Sequence, residues 1–318
     1  RNRYRQYYRR YHLYYDFLYF ARIRRNRKGK GDTGMNMDLR IKTASPIKSL
    51  TIGVILTLMI VYVILIAYPL FNMIISSLKP TREILQHPFS LPANPDFSSY
   101  KRVWIDMGFS TFFINSIIVT VSSMALVLLF GSMASYAISR YVFKGNTLLY
   151  MIFLSGIMLP LKAAIIPLFM IIRKLGLMDN FLSVILIFTA MGIPSTIFIL
   201  SGFFKAIPVD LEYAARIDGC NDFTIYSKIM MPVIAPGIAL VTIYNAVPIW
   251  NDFFFPLVFL HSRSLKTLPV GLSTFFGQHS TNWTLLFTGL TVAILPMMIL
   301  YLFMSKYFIK GMTAGAIK

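Results

Sequence analysis

Six strongly apolar stretches constrain this chain more than any other feature of its sequence. Each is close to the roughly 20 residues that a helix needs to cross about 30 Å of hydrocarbon. They lie at about Leu50–Phe71, Thr111–Ile138, Leu148–Ile172, Phe181–Phe204, Val233–Leu260 and Leu285–Phe308. Of the 318 residues, 56% are hydrophobic and only 14% are charged, a balance that is typical of polytopic membrane proteins. The sequence therefore predicts an all-α polytopic membrane protein with about six transmembrane helices.

The net charge of +19 is concentrated at the N-terminus. Residues Arg1–Ser49 hold 14 of the 31 Lys and Arg, opposed only by Asp16, Asp32 and Asp38. A basic segment before a first span is typical of the positive-inside rule and of attraction to anionic lipid headgroups. We therefore expect the N-terminus to be cytoplasmic and in contact with membrane lipid, not with nucleic acid. Six spans then place the C-terminus in the cytoplasm as well.

This N-terminal segment, residues 1–49, is expected to be separate from a transmembrane domain at residues 50–318. Arg1–Lys30 interleaves Arg with Tyr and Phe around an apolar centre that is too short to cross a bilayer. Two interpretations stay open: an interfacial helix with its rings at headgroup depth, or a disordered cytoplasmic tail. RNA binding is disfavoured because so short a segment cannot form an RNA-binding fold.

Among the segments that connect the later apolar stretches, only Val209–Pro232 contains many charged residues. This segment is here called the knob. Its charged side chains cannot lie in hydrocarbon. Leu211–Ile217 contains good helix formers, Gly219 interrupts them, and Asp222–Met230 can form a second short helix. The sequence predicts two short helices at an angle, a shape that suits docking into a cleft on another protein.

Small residues of the knob carry a resemblance to a known family. The pattern A-A, three residues, G, nine residues, I-x-x-P resembles the EAA loop of ABC importer permeases, the coupling helix that docks into the ATPase subunit. Tyr213 stands where that family usually has Glu, with Glu212 one position earlier, and Met231 replaces the usual Leu. The resemblance implies a coupling loop at residues 205–232 with ATPase-coupling residues Glu212, Ala214, Ala215, Asp218, Gly219, Ile229 and Pro232.

Further motifs are similar to the carbohydrate-uptake, MalG-like branch of these permeases. They are Asn115–Thr120, Ser135–Arg140, Ile166–Phe169, Lys174–Asn180, Trp250–Leu257, Leu268–Leu272 and Lys310–Lys318. The resemblance implies a multi-pass permease of the bacterial inner membrane that forms half of the pathway for a sugar or oligosaccharide. It also implies a second, different permease subunit, two ATPase subunits that bind ATP and Mg, and an extracytoplasmic solute-binding protein.

Polar residues inside the predicted spans are candidates for the substrate pathway, because such groups are costly in hydrocarbon. Lys162, in the third span, is either a cation that favours an anionic sugar or a Lys that snorkels to the outer interface. Asn115, Tyr244, Asn245, Trp250, Asn251 and Asp252 form a second group. Their aromatic faces and hydrogen-bonding groups suit sugar hydroxyls, or else bond one helix to another.

We expect no catalytic site, metal site or cofactor in this chain. Its four histidines have no metal-ligand spacing, and it lacks a G-x-x-x-x-G-K-[ST] phosphate loop. A separate subunit must then hydrolyse the ATP. The alternative is a self-sufficient, ion-coupled secondary transporter, which predicts inverted repeats and coupled carboxylates within spans. The sequence shows no such repeat, and Asp252 is the only acid within a predicted span.

Overall fold

The computed structural model describes residues 46–160, 162–275 and 282–316, and these form helices and connecting turns with no strand among them. Four of the helices are long and apolar enough to cross a membrane, or five if one bent pair is a single span. The expected all-α polytopic fold is therefore confirmed. The interfacial helix predicted within Arg1–Lys30 lies outside the described residues.

The described chain divides into two units, with the boundary between Val63 and Ile64. In chain order the α-helices are α1 Pro46–Ser76, α2 Thr81–Gln86, α3 Ser98–Lys101, α4 Phe109–Arg140, α5 Asn146–Met158, α6 Ile165–Lys174, α7 Phe181–Ala206, α8 Asp210–Ile217, α9 Asp222–Thr224, α10 Met231–Val233, α11 Ala235–Asn251, α12 Phe254–Phe259, α13 Leu268–Ser273 and α14 Trp283–Ala316. Two π-helical turns, Arg102–Asp106 and Ile225–Met230, follow α3 and α9, and a 3-10 turn covers Arg263–Leu265. The first, second, fourth and sixth predicted spans correspond to α1, α4, α7 and α14.

The prediction of one continuous third span, Leu148–Ile172, is wrong. The chain forms α5 and α6 instead, with a break between Met158 and Ile165. Pro160 explains the break, because proline lacks a backbone N–H and disfavours helical backbone at the residue before it. Leu159 accordingly adopts an extended conformation, with φ −76° and ψ 124°.

The fifth predicted span, Val233–Leu260, is also interrupted. Helix α11 ends at Asn251, and Asp252 is extended with φ −71° and ψ 122°. The Asp252 carboxylate accepts the backbone N–H of Phe255 at 2.9 Å, so it caps the start of α12. Such a local side-chain bond competes with continuation of the preceding helix. The α11 helix is also bent by 76° from the helical segment Asp222–Val233 that precedes it.

Helices α4 and α7 form the centre of the bundle and approach each other through small residues. A Cβ built on Gly192 of α7 would lie 2.7 Å from Val127 of α4, and one built on Gly131 would lie 2.5 Å from Thr196. Small residues of this kind let helices in membranes pack closely. The close contact makes α4 and α7 the framework on which the knob and the connecting loops are placed.

The two ends of α4 contact different parts of the chain. At its N-terminal end, Phe109 stacks on Phe275 with ring centroids 5.7 Å apart, next to α13. At its C-terminal end, Tyr136 packs against Tyr226 of the knob with centroids 5.4 Å apart. The knob and the loop around α13 therefore lie at opposite ends of α4.

Candidate functional site

The first helix of the knob, α8, ends in a turn that requires glycine. Gly219 has φ +81°, a left-handed conformation that L side chains rarely adopt. Its N–H bonds to Arg216 O at 3.0 Å, and the N–H of Cys220 bonds to Ala215 O at 3.0 Å. These two bonds form a Schellman motif, which satisfies the last carbonyl groups of a helix. The predicted interruption at Gly219 is confirmed.

The second part of the knob begins at Asn221, whose side chain accepts the N–H of Thr224 at 2.8 Å. This cap starts α9, and the π-helical turn Ile225–Met230 continues it. Arg216 and Asp222 form an exposed ion pair of 2.7 Å between the two parts. Both predicted short helices are thus present, although most of the second is π-helical.

One face of the knob presents an exposed apolar stripe. Val209, Tyr213 and Ile217 follow each other at intervals of four residues, so they share one face of α8. Ile217 is 86% exposed and Tyr213 is 60% exposed, and Phe223 lies exposed on the second part of the knob. Exposed apolar patches of this kind mark protein–protein contact sites. The four-residue spacing could have identified this stripe from the sequence.

The predicted coupling residues divide between the two faces of the knob. Ala214, Asp218, Gly219 and Pro232 are exposed, Ile229 is half-buried, and Glu212 and Ala215 are buried. Glu212 therefore does not present its carboxylate to an external partner, and the outward position belongs to Tyr213. A coupling role for Glu212 has to act through the interior of this chain.

A buried polar cluster surrounds Glu212. Its Oε1 lies 2.6 Å from Arg140 Nε, and both side chains are more than nine-tenths buried. The two atoms form an ion pair without a hydrogen bond between them. The Tyr136 hydroxyl donates to Glu212 Oε2 at 3.1 Å, and Arg140 Nη2 donates to Ile207 O at 2.9 Å. Sequence reasoning missed this cluster because its members are far apart in the chain.

The two helix breaks meet at another ion pair. Lys162 lies in the turn between α5 and α6, and its Nζ is 3.5 Å from Oδ2 of Asp252, which lies between α11 and α12. The Lys162 ammonium is also 5.9 Å from the Phe254 ring centroid. Lys162 was expected inside a continuous third span. It lies instead in the break between α5 and α6, where it pairs with the carboxylate of Asp252.

Three of the predicted pathway residues hold the bundle together. Asn115 donates to Ser264 O at 2.7 Å and to Lys266 O at 2.9 Å, and so fixes the loop before α13. Asn245 accepts from Ser195 at 3.0 Å, joining α11 to α7. Trp250 donates to Ala293 O at 3.0 Å, joining α11 to α14. All three side chains are buried and engaged in these contacts.

Two other predicted residues, Tyr244 and Asn251, are exposed on α11. They are seven residues apart, with the exposed Pro248 between them, and therefore lie on one face of the helix. This face carries a ring, a phenolic hydroxyl and an amide, groups that can contact a polar ligand.

The turn after α12 is held by Asp179, which has φ +54°. Its Oδ1 accepts the backbone N–H groups of His261 at 2.8 Å and Ser262 at 2.9 Å, and its Oδ2 accepts the Ser262 hydroxyl. The hydroxyl bond and the backbone bonds together hold the pKa of the Asp179 carboxyl below its usual value. Because the carboxylate form is favoured, the contact persists above the usual carboxyl pKa and is lost as the pH falls through the lowered one.

We expect Asp179→Ala to accelerate hydrogen exchange of the His261 and Ser262 amides, which lose their acceptor. In the unsubstituted protein, their protection should stay constant from neutral pH down to the usual pKa of aspartate and fall only below it. Exchange measured by mass spectrometry tests both statements. Asp96→Ala is the matched control, since Asp96 caps Ser98 in a different loop. Equal protection of His261 in the Asp179 variant would contradict the assignment.

Among the residues that the structure describes, no group of three or more His, Cys, Asp and Glu could hold a metal ion. Long apolar helices, together with two short helices that expose an apolar stripe, define a polytopic membrane protein. The chain belongs to the family of binding-protein-dependent transport system inner membrane components, whose match covers residues 127–314. The family expected from the sequence is thereby confirmed.

Curated relatives agree with this assignment. The chain is 36% identical over 257 residues to the probable ABC transporter permease protein YurM of Bacillus subtilis (strain 168), covering 81% of this chain and 85% of the relative. It is 34% identical over 269 residues to the arabinooligosaccharides transport system permease protein AraQ of Halalkalibacterium halodurans, covering 83% and 96%. The similarity thus extends over most of both chains.

A solved structure shares the fold. A chain from the crystal structure of a bacterial ABC transporter involved in the import of the acidic polysaccharide alginate superposes with a TM-score of 0.73 and 27% identity. The match covers 83% of this chain and 99% of that chain. The arrangement of α-helices described above is therefore that of an ABC importer permease.

Proposed function

We propose that this chain forms half of the translocation pathway for a sugar or oligosaccharide and is driven by a separate ATPase subunit. The observation that carries the proposal is the knob, a pair of short helices joined by the turn at Gly219 and carrying an exposed apolar stripe. Relatives named for arabinooligosaccharide and for melibiose, raffinose and stachyose import support the substrate class. The chain itself is then a transport subunit and not an enzyme.

The exposed stripe is the surface that we assign to the ATPase. Ile217 and Tyr213 expose large apolar side chains. Burying them in a cleft of the partner removes them from water, which stabilises the complex. ATP and Mg bind to the partner and not to this chain. The knob then lies on the cytoplasmic side, as do both chain ends, in a bacterial inner membrane. A second permease subunit, two ATPase subunits and an extracytoplasmic solute-binding protein complete the importer.

The substrate pathway is assigned to the exposed face of α11 and to the adjoining helix breaks. Tyr244 and Asn251 offer a ring and an amide to sugar hydroxyls, and the Lys162–Asp252 pair adds a charged edge. The sugar is not contacted by Asn115, Asn245 or Trp250. These residues position the helices that carry the contacting groups.

The test is the ATPase activity, in liposomes, of the complex that co-purifies with this chain. It is measured with and without the solute-binding protein, using arabino-oligosaccharide, raffinose and alginate oligosaccharide as probes. Stimulation that requires both the binding protein and one sugar supports the proposal. Absence of an ATPase, together with uptake that follows an ion gradient, would instead support the secondary transporter.

We expect Lys162→Met to weaken uptake of alginate oligosaccharide on the order of 5-fold more than uptake of a neutral arabino-oligosaccharide. An exposed ionic contact contributes about 1 kcal/mol, which corresponds to a change of this size. Competition between the two labelled sugars in liposomes measures the ratio. Lys174→Met is the matched control, because it removes another exposed cation outside the helix breaks. Equal effects on both sugars would show that Lys162 serves only to pair with Asp252.

A further inference from the structure

One face of α4 carries three polar side chains that all reach towards the knob. Ser132, Tyr136 and Arg140 follow each other at intervals of four residues and therefore line one face of the helix. We call these three residues the anchor stripe. Tyr136 and Arg140 lie within the Ser135–Arg140 motif, but the sequence assigned them no contact with the knob, and the docking surface of the knob does not include them.

The anchor stripe contacts both parts of the knob. Ser132 forms a hydrogen bond of 2.6 Å with the Tyr226 hydroxyl in the π-helical turn. Tyr136 and Arg140 hold Glu212 of α8 at 3.1 Å and 2.6 Å. Each of the two parts of the knob is thus tied separately to the same helix.

These bonds differ in kind from the apolar contacts between the knob and α7. Ala215, Ile225 and Met230 pack against Leu200 and Phe204 within one apolar cluster. Apolar contacts are non-directional, so they resist separation more than sliding. Hydrogen bonds have defined geometry, and a buried ion pair holds two opposite charges at short range. Breaking a buried pair by removing one partner leaves an uncompensated charge, which is strongly unfavourable.

We propose that the anchor stripe makes the knob and α4 move as one body, so that a displacement of the knob is delivered to α4. Glu212 and Tyr226 are then positioning residues that link the docking surface to the bundle. The inference rests on the proposed function, because it assumes that an ATPase displaces the knob. It adds which helix receives the displacement and through which side chains.

The test measures a distance inside the assembled complex. Spin labels are placed at Met133→Cys on α4 and Lys228→Cys on the knob, in a Cys220→Ser background, and both labelled positions are exposed. Electron–electron resonance then compares the nucleotide-free complex with the complex trapped by ATP and vanadate. With the anchors intact, the distance distribution is expected to be the same in both states.

Two variants remove the anchors in different ways. Glu212→Gln removes the buried charge, whereas Tyr136→Phe combined with Tyr226→Phe removes only hydroxyl groups and keeps the packing. In both, we expect the distance distribution to shift or broaden on trapping while the ATPase subunits still co-purify. Arg216→Gln is the matched control, because it breaks an exposed ion pair between the two parts of the knob and leaves the Glu212, Tyr136 and Tyr226 side chains in place. It should behave like the parent.

The outcomes separate the two proposals. A distance that stays independent of nucleotide in both anchor variants would overturn the inference, because apolar packing alone would then hold the knob to α4. A parent complex with no co-purifying ATPase would contradict the proposed function, and the inference with it. A change in the Arg216→Gln control equal to that in Glu212→Gln would also overturn the inference, since any disturbance of the knob would then suffice.

Discussion

Gly219→Pro is expected to reduce transport by about tenfold or more while the chain remains in the membrane. Proline fixes φ near −65°, whereas Gly219 has φ +81°. The substitution also removes the N–H that bonds to Arg216 O. The turn between the two parts of the knob can then no longer form. An unfavourable backbone conformation at this turn costs about 1–2 kcal/mol or more. This cost lowers the fraction of chains with a correctly formed knob by roughly tenfold or more.

Two graded variants make the Gly219 experiment specific to backbone conformation. No atom lies within 4 Å of a Cβ built at Gly219, so a small side chain meets no steric obstacle there. Gly219→Ala should therefore reduce transport only through the cost of a left-handed backbone at a residue with a side chain. Gly219→Asn should reduce transport less, because Asn tolerates that conformation. Transport by the reconstituted complex and the amount of chain in the membrane are measured together. Normal transport by Gly219→Pro would contradict a rigid knob.

Gly192→Ala is expected to destabilise the bundle by about 1–3 kcal/mol, the usual cost of overpacking a close contact. The added methyl would lie 2.7 Å from Val127 Cγ2, nearer than side chains approach one another. Combining it with Val127→Ala should recover much of the loss, because the methyl group added at position 192 occupies the space vacated at position 127. Retention of monodisperse protein after heating in detergent measures the effect.

The control for this interface lies on the same helix. A Cβ added at Gly202 would meet no atom within 4 Å, so Gly202→Ala should be neutral or slightly stabilising, as expected when alanine replaces glycine in a helix. Purely additive losses for Gly192→Ala and Val127→Ala would show that the two residues do not share one contact.

The outline of the fold could be predicted from the sequence because hydrophobicity acts locally. Four of the six predicted spans agree with long helices to within a few residues at most ends, since about 20 consecutive apolar residues suffice to define a span. The two failures contain breaks at Pro160 and Asp252. Pro160 is visible in the sequence, but whether a helix bends or stops at a proline depends on the contacts around it.

The candidate site was predictable in its outline but not in its orientation. The small-residue spacing located the knob and its turn at Gly219. It did not show that Glu212 points inward and Tyr213 outward, because adjacent residues on a helix point in directions about 100° apart and only packing selects the buried one. For the same reason Asn115, Asn245 and Trp250 could not be distinguished from the exposed Tyr244.

The sequence alone determined the family, the apolar helices, and the place and shape of the knob, because each follows from residues that are close together in the chain. Only the tertiary structure decided the ion pairs Arg140–Glu212 and Lys162–Asp252, whose partners are 72 and 90 positions apart. Such pairs form because the helices carrying them are packed by many other contacts. Their existence therefore depends on the whole arrangement and not on either residue.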